Sequence, residues 1–564
     1  MAVRWRLLAC VSLGVSLCLP ALGPERVLDD AVIELALRGG RFPGLDSGPF
    51  GAFRFASGDA QQNRELIERG ALLPWWSEPE LRIAFLRPLS ALTHALDFAC
   101  WPGSPRLMYA HSLVWLGLVI AAAARLHRRL ERHSRRAFAA TLFFAISPSF
   151  GPAVGWLSSR NTLIASFFGI CAITAWSAGF RRRALFLLAA ALASGEVAVC
   201  ALAYIACHSW ILDPRSTRAR IQSLVPVASI TLLWRGLHFG SGFGANGSGA
   251  YLDPLQDVTA LLAAAPARLL SGLGAAIGPV SADLIFVGER DQVRASLALA
   301  AVLALCFGFA VRRAVNREPV ARFWASSALF SLVPWCAAPP NDRGLLLVLL
   351  GIAPLVSRLV PGLSHQLPPR VLAALFVGWH ALGAPLVLAL RAGQSQKLGR
   401  RTAESTRVFD TIPELERRTV VVLNPPRDLF ASYIQLERAA RGESVAQHLY
   451  WLSSSSSAFS VTRVADDTLE VRRPSGYCST ALEHLYRRDG TTLPAVLDFA
   501  AFRARILERT GSDGPSRVQF RFRVPLEHES LVFVAWHGDR YTVVAPPALG
   551  RSLEFERAAL ESLL

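Results

Sequence analysis

Adjacent carboxylates, Asp29 and Asp30, stand just beyond the first apolar stretch and open the helical pattern AVIELALRGG. Paired acids in that place suit a divalent cation, a pyrophosphate–metal complex or general-base work, and equally suit a helix N-terminus, where Asp faces the positive end of the dipole. Farther on, Arg87, His94 and Asp97 fall within FLRPLSALTHALDFAC at separations that place them on one helical face. A guanidinium at a membrane surface can hold a lipid phosphate through paired N–H donors; the plainer alternative is an interfacial helix in which Arg87 pairs with Asp97. Tyr109 and His111 open the next apolar run. Trp156-Leu-Ser-Ser-Arg160-Asn161 makes a tight polar hairpin, and Arg160 there calls for a lipid phosphate or a carboxylate such as Glu196. Glu196 itself interrupts a long apolar stretch, where a lone charge needs a partner. In Asn341-Asp342-Arg343, another short hairpin, a local Asp342–Arg343 pair is the modest expectation. The glycine-rich stretch RGLHFGSGFGANGSGAYLDP lacks the strand before and helix after that a phosphate loop requires, so it reads as a mobile loop able to fold over a ligand.

The elements that must carry these residues are membrane helices. Of 564 residues, 52% are hydrophobic and 18% charged, below the roughly 25% charged of soluble domains. Runs long enough to span, at about 20 apolar residues each, occur at 7–22, 107–125, 137–155, 161–180, 221–239, 295–311, 322–338, 343–360 and 370–391. The stretch 184–212 is too long for one straight helix and breaks at Ser194-Gly195-Glu196, so it reads as two short spans. About eleven spans result. The stretch 257–279 contains Pro266 and Arg268 and reads as an interfacial helix. The first run has the basic start and apolar core of a cleavable signal, but with so many spans to follow it reads as a retained anchor.

Charge sets the orientation. The formal net charge is +17, yet Lys397 is the only lysine. Arginines gather beside alternate span ends: Arg4 and Arg6, Arg125 to Arg136, Arg181 to Arg183, Arg215 to Arg220, Arg312 to Arg322, then Arg358 and Arg370. All lie on one side if the N-terminus is cytoplasmic, as the positive-inside bias prefers. The excess charge is thus a topology signal and not a nucleic-acid surface. A membrane domain over 1–391, with a first outer loop at 23–105, precedes a tail at 392–564 whose 23 basic and 21 acidic residues nearly balance. Alternating runs at Val518–Val524 and Leu531–Trp536, a helix near 428–441 and a flexible serine loop at Ser453–Ser457 make that tail a small α+β or β-rich extracytoplasmic domain. The nine cysteines form no CxxC pair and read as small buried hydrophobes. The expected fold class is an α-helical polytopic membrane protein with a cytoplasmic N-terminus; a bacterial inner membrane is implied only by the family likeness that follows.

The order of these segments resembles the GT-C superfamily of integral-membrane glycosyltransferases, which use polyprenyl-phosphate-linked sugars. The tetratricopeptide-bearing O-mannosyltransferase branch and its bacterial relatives are the nearest likeness. Asp29-Asp30 after the first span, Arg87-Pro88-Leu89 with LTHALD, Tyr109-x-His111, Ser147-Pro148 through Trp156 to Arg160-Asn161-x-Leu163, and Ser194-Gly195-Glu196 carry it over about residues 1–240, and weakly over 320–360. The resemblance implies that one of Asp29 and Asp30 acts as base or metal ligand. It also implies that Arg87, Arg160 and Arg343 hold the donor phosphate, with His94, Asp97, His111, Trp156 and Glu196 in support. A divalent cation, Mg or Mn, is the candidate cofactor. Three departures stand out: Gly195 where the family often has lysine, Ser147 where it has histidine, and no tetratricopeptide repeat.

The expected function is transfer of a sugar from a polyprenyl-phosphate donor to an extracytoplasmic protein, lipid or glycan acceptor. Two alternatives stand beside it. One is a non-catalytic envelope protein on the same fold whose tail binds a partner. The other is a lipid or solute transporter, which should show two related halves; none is visible.

Overall fold

A computed structural model describes residues 2–39, 42–360, 369–488, 490–510 and 514–558. The chain divides into two compact units. The first comprises 1–25, 85–241 and 252–396; the second comprises 26–84, 242–251 and 397–564. The division departs from the boundary expected near 391, because most of the first outer loop belongs with the tail and not with the helices that flank it.

The first unit is helical. Among the described residues, four helices are long and apolar enough to cross a membrane: Pro105–Leu130, Val258–Ile277, Arg290–Arg317 and the continuous run Arg370–Thr411. They make the chain an integral membrane protein. Trp5–Leu17 and Glu196–Leu212 are shorter apolar helices. Several other expected spans are also short, such as Ser134–Ala145, Arg181–Leu192 and Leu346–Ser357. At 1.5 Å per residue these cover about half of a 30 Å core. Local chemistry sets the starts: Pro88, Pro105 and Pro319 occupy first turns, where the missing N–H costs nothing. Glu289 and Gln292 close a capping box on Arg290–Arg317. As anticipated, 184–212 breaks at Ser194-Gly195-Glu196, and a 3-10 turn from Glu196 to Cys200 restarts the helix.

Val258–Ile277 corrects the interfacial expectation for 257–279. It runs as one helix of 20 residues through Pro266. Arg268 does not stop it, because its guanidinium donates to the Cys336 and Ala338 carbonyls at 2.7 and 2.9 Å and so carries its hydrogen bonds inside the protein.

The second unit is β-rich, as the tail pattern implied. A six-stranded sheet orders Ser552–Phe555, Phe459–Ala465, Thr468–Arg472, Pro515–Phe522, Phe502–Arg509 and Val496–Asp498. A four-stranded sheet orders Arg540–Val544, Leu531–His537, Thr419–Val422 and His448–Trp451, its last two pairings parallel. Helices Leu429–Ser432 and Ile434–Arg441 fill the expected helical stretch. Two loop expectations fail. The glycine-rich stretch supplies the strand Gly244–Asn246, paired with Arg82–Ala84, so its backbone is held in a ladder. Ser453–Ser456 is buried and not a flexible loop, because the hydroxyls serve a buried charge network. There Ser454 donates to Asp428, Ser456 donates to Glu483, and Arg473 pairs with Glu483 at 2.6 Å with neither side chain exposed.

Candidate functional site

In the first unit the polar residues form three groups. The first joins the arginine-proline-leucine segment to the broken helix. Leu89 N–H donates to the Ala193 carbonyl at 3.1 Å, and Ser90 Oγ donates to the Ser194 carbonyl at 2.7 Å. This clamp sets Arg87, at the mouth of helix Pro88–Cys100, against Glu196, with Nε to Oε2 at 2.8 Å. The Arg87 guanidinium also lies over the Phe85 ring at 4.2 Å. His238 Nε2 approaches the other Glu196 oxygen at 3.7 Å, and Arg235 reaches the far side of the His238 ring at 3.4 Å while pairing with Asp253. Arg87 keeps 17% of its side chain exposed and Glu196 28%, so this pair remains open to a ligand.

The second group is closed. Arg160 and Asp97 pair at 2.5 Å with neither side chain exposed. Arg160 also donates to Ser112 Oγ at 2.9 Å and to the Met108 carbonyl at 2.7 Å. Asp97 takes His111 Nδ1 at 2.7 Å, and Trp115 Nε1 donates to the other ring nitrogen of His111. Burial, then the Arg160 charge and His111, hold His94 well below the usual histidine range, so it stays neutral beside them. The partners expected from sequence are therefore exchanged: Glu196 belongs to Arg87, and Asp97 to Arg160. The Arg160 guanidinium thus has its donors taken up within the protein.

The third group lies around Asn341-Asp342-Arg343. Asp342 does not pair with Arg343. Its carboxylate accepts from Ala282 N–H and Ser281 Oγ at 2.8 Å each and pairs with Arg391, which also holds Asp283 at 2.8 Å. Burial first, then the neighbouring Asp342, push Asp283 up to about 6. Arg343 instead stacks on Trp156, 4.7 Å from the ring centroid.

Asp29 and Asp30 lie in the second unit, on the first turn of helix Asp29–Leu37. Asp30 is buried, and its Oδ2 accepts from Val27 N–H at 3.0 Å, closing the turn at the helix start. Asp29 is half-buried and accepts from the Tyr433 hydroxyl. Burial first, then the Asp29 charge, hold Tyr433 well above its ordinary range, so it keeps the proton it donates. Leu28, just before, adopts φ 48°, a strained region for an L residue. As a metal site the pair fits poorly: both carboxylates have protein donors, and among the described residues no three His, Cys, Asp or Glu side chains gather as ligands.

Sequence reading missed His238, Arg391, Asp283 and Tyr433. His238 and Arg391 did carry a signal, His238 as an ionisable residue in the last turn of an apolar helix and Arg391 as one where an apolar run inside a long helix gives way to polar residues. Asp283 sits in a loop and Tyr433 in the tail, and neither stands apart from its neighbours by type or spacing.

No protein-family model and no curated protein matches the sequence. Among solved structures, ArnT from Cupriavidus metallidurans bound to undecaprenyl phosphate aligns at 11% identity and TM-score 0.37, over 78% of this chain and 85% of that one. The Archaeoglobus fulgidus oligosaccharyltransferase tethered to an acceptor peptide containing the NVT sequon aligns at 13% identity and TM-score 0.36, over 78% of this chain and 63% of that one.

Proposed function

We propose that the chain is a membrane glycosyltransferase of the GT-C kind, moving a sugar from a polyprenyl-phosphate donor to an acceptor outside the cytoplasm. One observation supports it most: the Arg87–Glu196 pair, partly open, is held by backbone clamps where an apolar helix is broken. A guanidinium presented that way can exchange one carboxylate for the phosphate of a lipid carrier, and stronger charge-assisted bonds compensate for the loss. Glu196, released towards His238, keeps a partner. Arg160 acts as a positioning residue that fixes Asp97 and His111, while Arg343 on Trp156 offers a second cation. Asp29 is the base of choice, because Asp30 is spent on its own helix start. Within the second unit the Tyr433 hydroxyl orients the Asp29 carboxylate, which can take a proton from an acceptor hydroxyl. No step is routed through a metal.

Sugar transfer from a lipid-linked donor by the purified full chain tests this. Asp29→Asn keeps an oxygen for Tyr433 and should fold normally, yet lose at least about a hundredfold in rate; Asp30→Asn should act on stability instead. Unchanged transfer by Asp29→Asn would remove the catalytic assignment. A second reading, a non-catalytic envelope protein on the same fold, draws on one fact: every candidate charge already has a protein partner. It predicts no transfer from any donor by the wild-type chain.

A further inference from the structure

Away from these groups, at the arginine-rich end of the first unit, three helices leave a shallow, half-open groove. Ala2–Leu17, Pro105–Leu130 and Ser134–Ala145 line it, contributing the polar Arg6, Arg128 and Ser134 and the apolar Leu7, Cys10 and Phe138. Among the described residues no acidic side chain lines it. The surrounding arginines sort into two kinds. Arg129 is spent on the Ser177 hydroxyl and carbonyl at 2.9 Å, and Arg136 on Glu318 at 3.1 Å. Arg6 turns into the groove, donating to Ser134 Oγ at 3.3 Å with its guanidinium 5.8 Å from the Phe138 ring, and Arg128 is exposed at the rim. Two cations and a hydroxyl beside apolar side chains match the charge of a phosphate headgroup whose acyl carbons lie against the open apolar surface.

We propose that this groove binds one anionic glycerophospholipid of the leaflet on the arginine-rich side, its phosphate between Arg6 and Arg128 and a chain along Leu7 and Phe138. The site is independent of the glycosyltransferase reading. Basic pockets between membrane helices hold anionic headgroups more tightly than zwitterionic ones, because the phosphate charge is not offset within the lipid.

The test is native mass spectrometry of the full chain released from nanodiscs of equal parts phosphatidylcholine and phosphatidylglycerol. Wild type should retain phosphatidylglycerol in preference. The double variant Arg6→Gln/Arg128→Gln should lose roughly tenfold or more of that preference, the weight of two arginines at a lipid phosphate. Leu7→Trp, which keeps both charges and obstructs the groove, should lose it too, so the test survives if one variant folds poorly. Arg322→Gln, elsewhere on the same arginine-rich side, should retain it. Inorganic phosphate alone should not displace the lipid. Equal retention of both lipids by wild type, an unaffected double variant, an equal loss in Arg322→Gln, or displacement by inorganic phosphate would each overturn the proposal.

Discussion

Arg160 and Asp97 show what a buried charge does when its partner is close and its remaining donors are satisfied. Their value to the fold lies less in the pair itself than in the cost of breaking it, since one partner alone would leave an uncompensated charge inside the protein. Asp97→Ala should therefore destabilise the full chain by about 3–5 kcal/mol, read as a drop in melting temperature in detergent, with little change in Asp97→Glu/Arg160→Lys only if the pocket can repack. In the second unit, Asp428 sits fully buried, and burial first, then Glu483, push it up to about 7. The folded form thus binds its proton more tightly than the unfolded chain, whose Asp titrates near 3.9. Stability from this group is complete below about pH 4 and is lost as pH rises towards 7, by up to about 1.4 kcal/mol per pH unit. Asp428→Asn should flatten that slope in melts of the full chain between pH 4 and 7. Trp451 and Ser454 can still bond the amide.

At the scale of elements, two glycines mark places where backbones meet too closely for a side chain. Gly70 follows helix Ala60–Glu68 with φ +61°, and a Cβ there would lie 2.4 Å from the Leu449 carbonyl of strand His448–Trp451. Gly70→Ala should cost about 1–3 kcal/mol, because it meets backbone as well as an unfavourable dihedral; thermal melts against a Gly442→Ala control, whose site has open space, would isolate the contact. Gly195 is different. Its backbone is extended, but a Cβ would come within 3.1 Å of Asn161 Nδ2, so the lysine of the related pattern has no room without moving Asn161. Much of this was legible in the sequence: the break at Ser194–Glu196, the strand pattern of the tail and the helix opened by Asp29 all follow from local periodicity. Pairings were not. Arg87, Arg160, Asp97 and Glu196 were each recognisable as charges in need of a partner, but only packing decides which meets which. The same limit hid the serine network, because Ser453–Ser456 reads as a polar loop until Asp428, Glu483 and Arg473 are brought around it by strands distant in sequence.

The whole molecule combines a membrane unit of helices with a β-rich unit that takes in residues 26–84. Leu346–Ser357, at 12 residues, is shorter than the roughly 20 residues a lone spanning helix needs. Arg87, held against the Glu196 carboxylate, is the proposed carrier-phosphate contact. Binding of a polyprenyl phosphate to the full chain, wild type against Arg87→Ala, tests it most directly. Wild type should bind saturably, and binding should weaken by about tenfold or more when one charge-assisted contact is lost, with Arg294→Ala, at an exposed surface arginine, unchanged. Equal affinity in wild type and Arg87→Ala would contradict it.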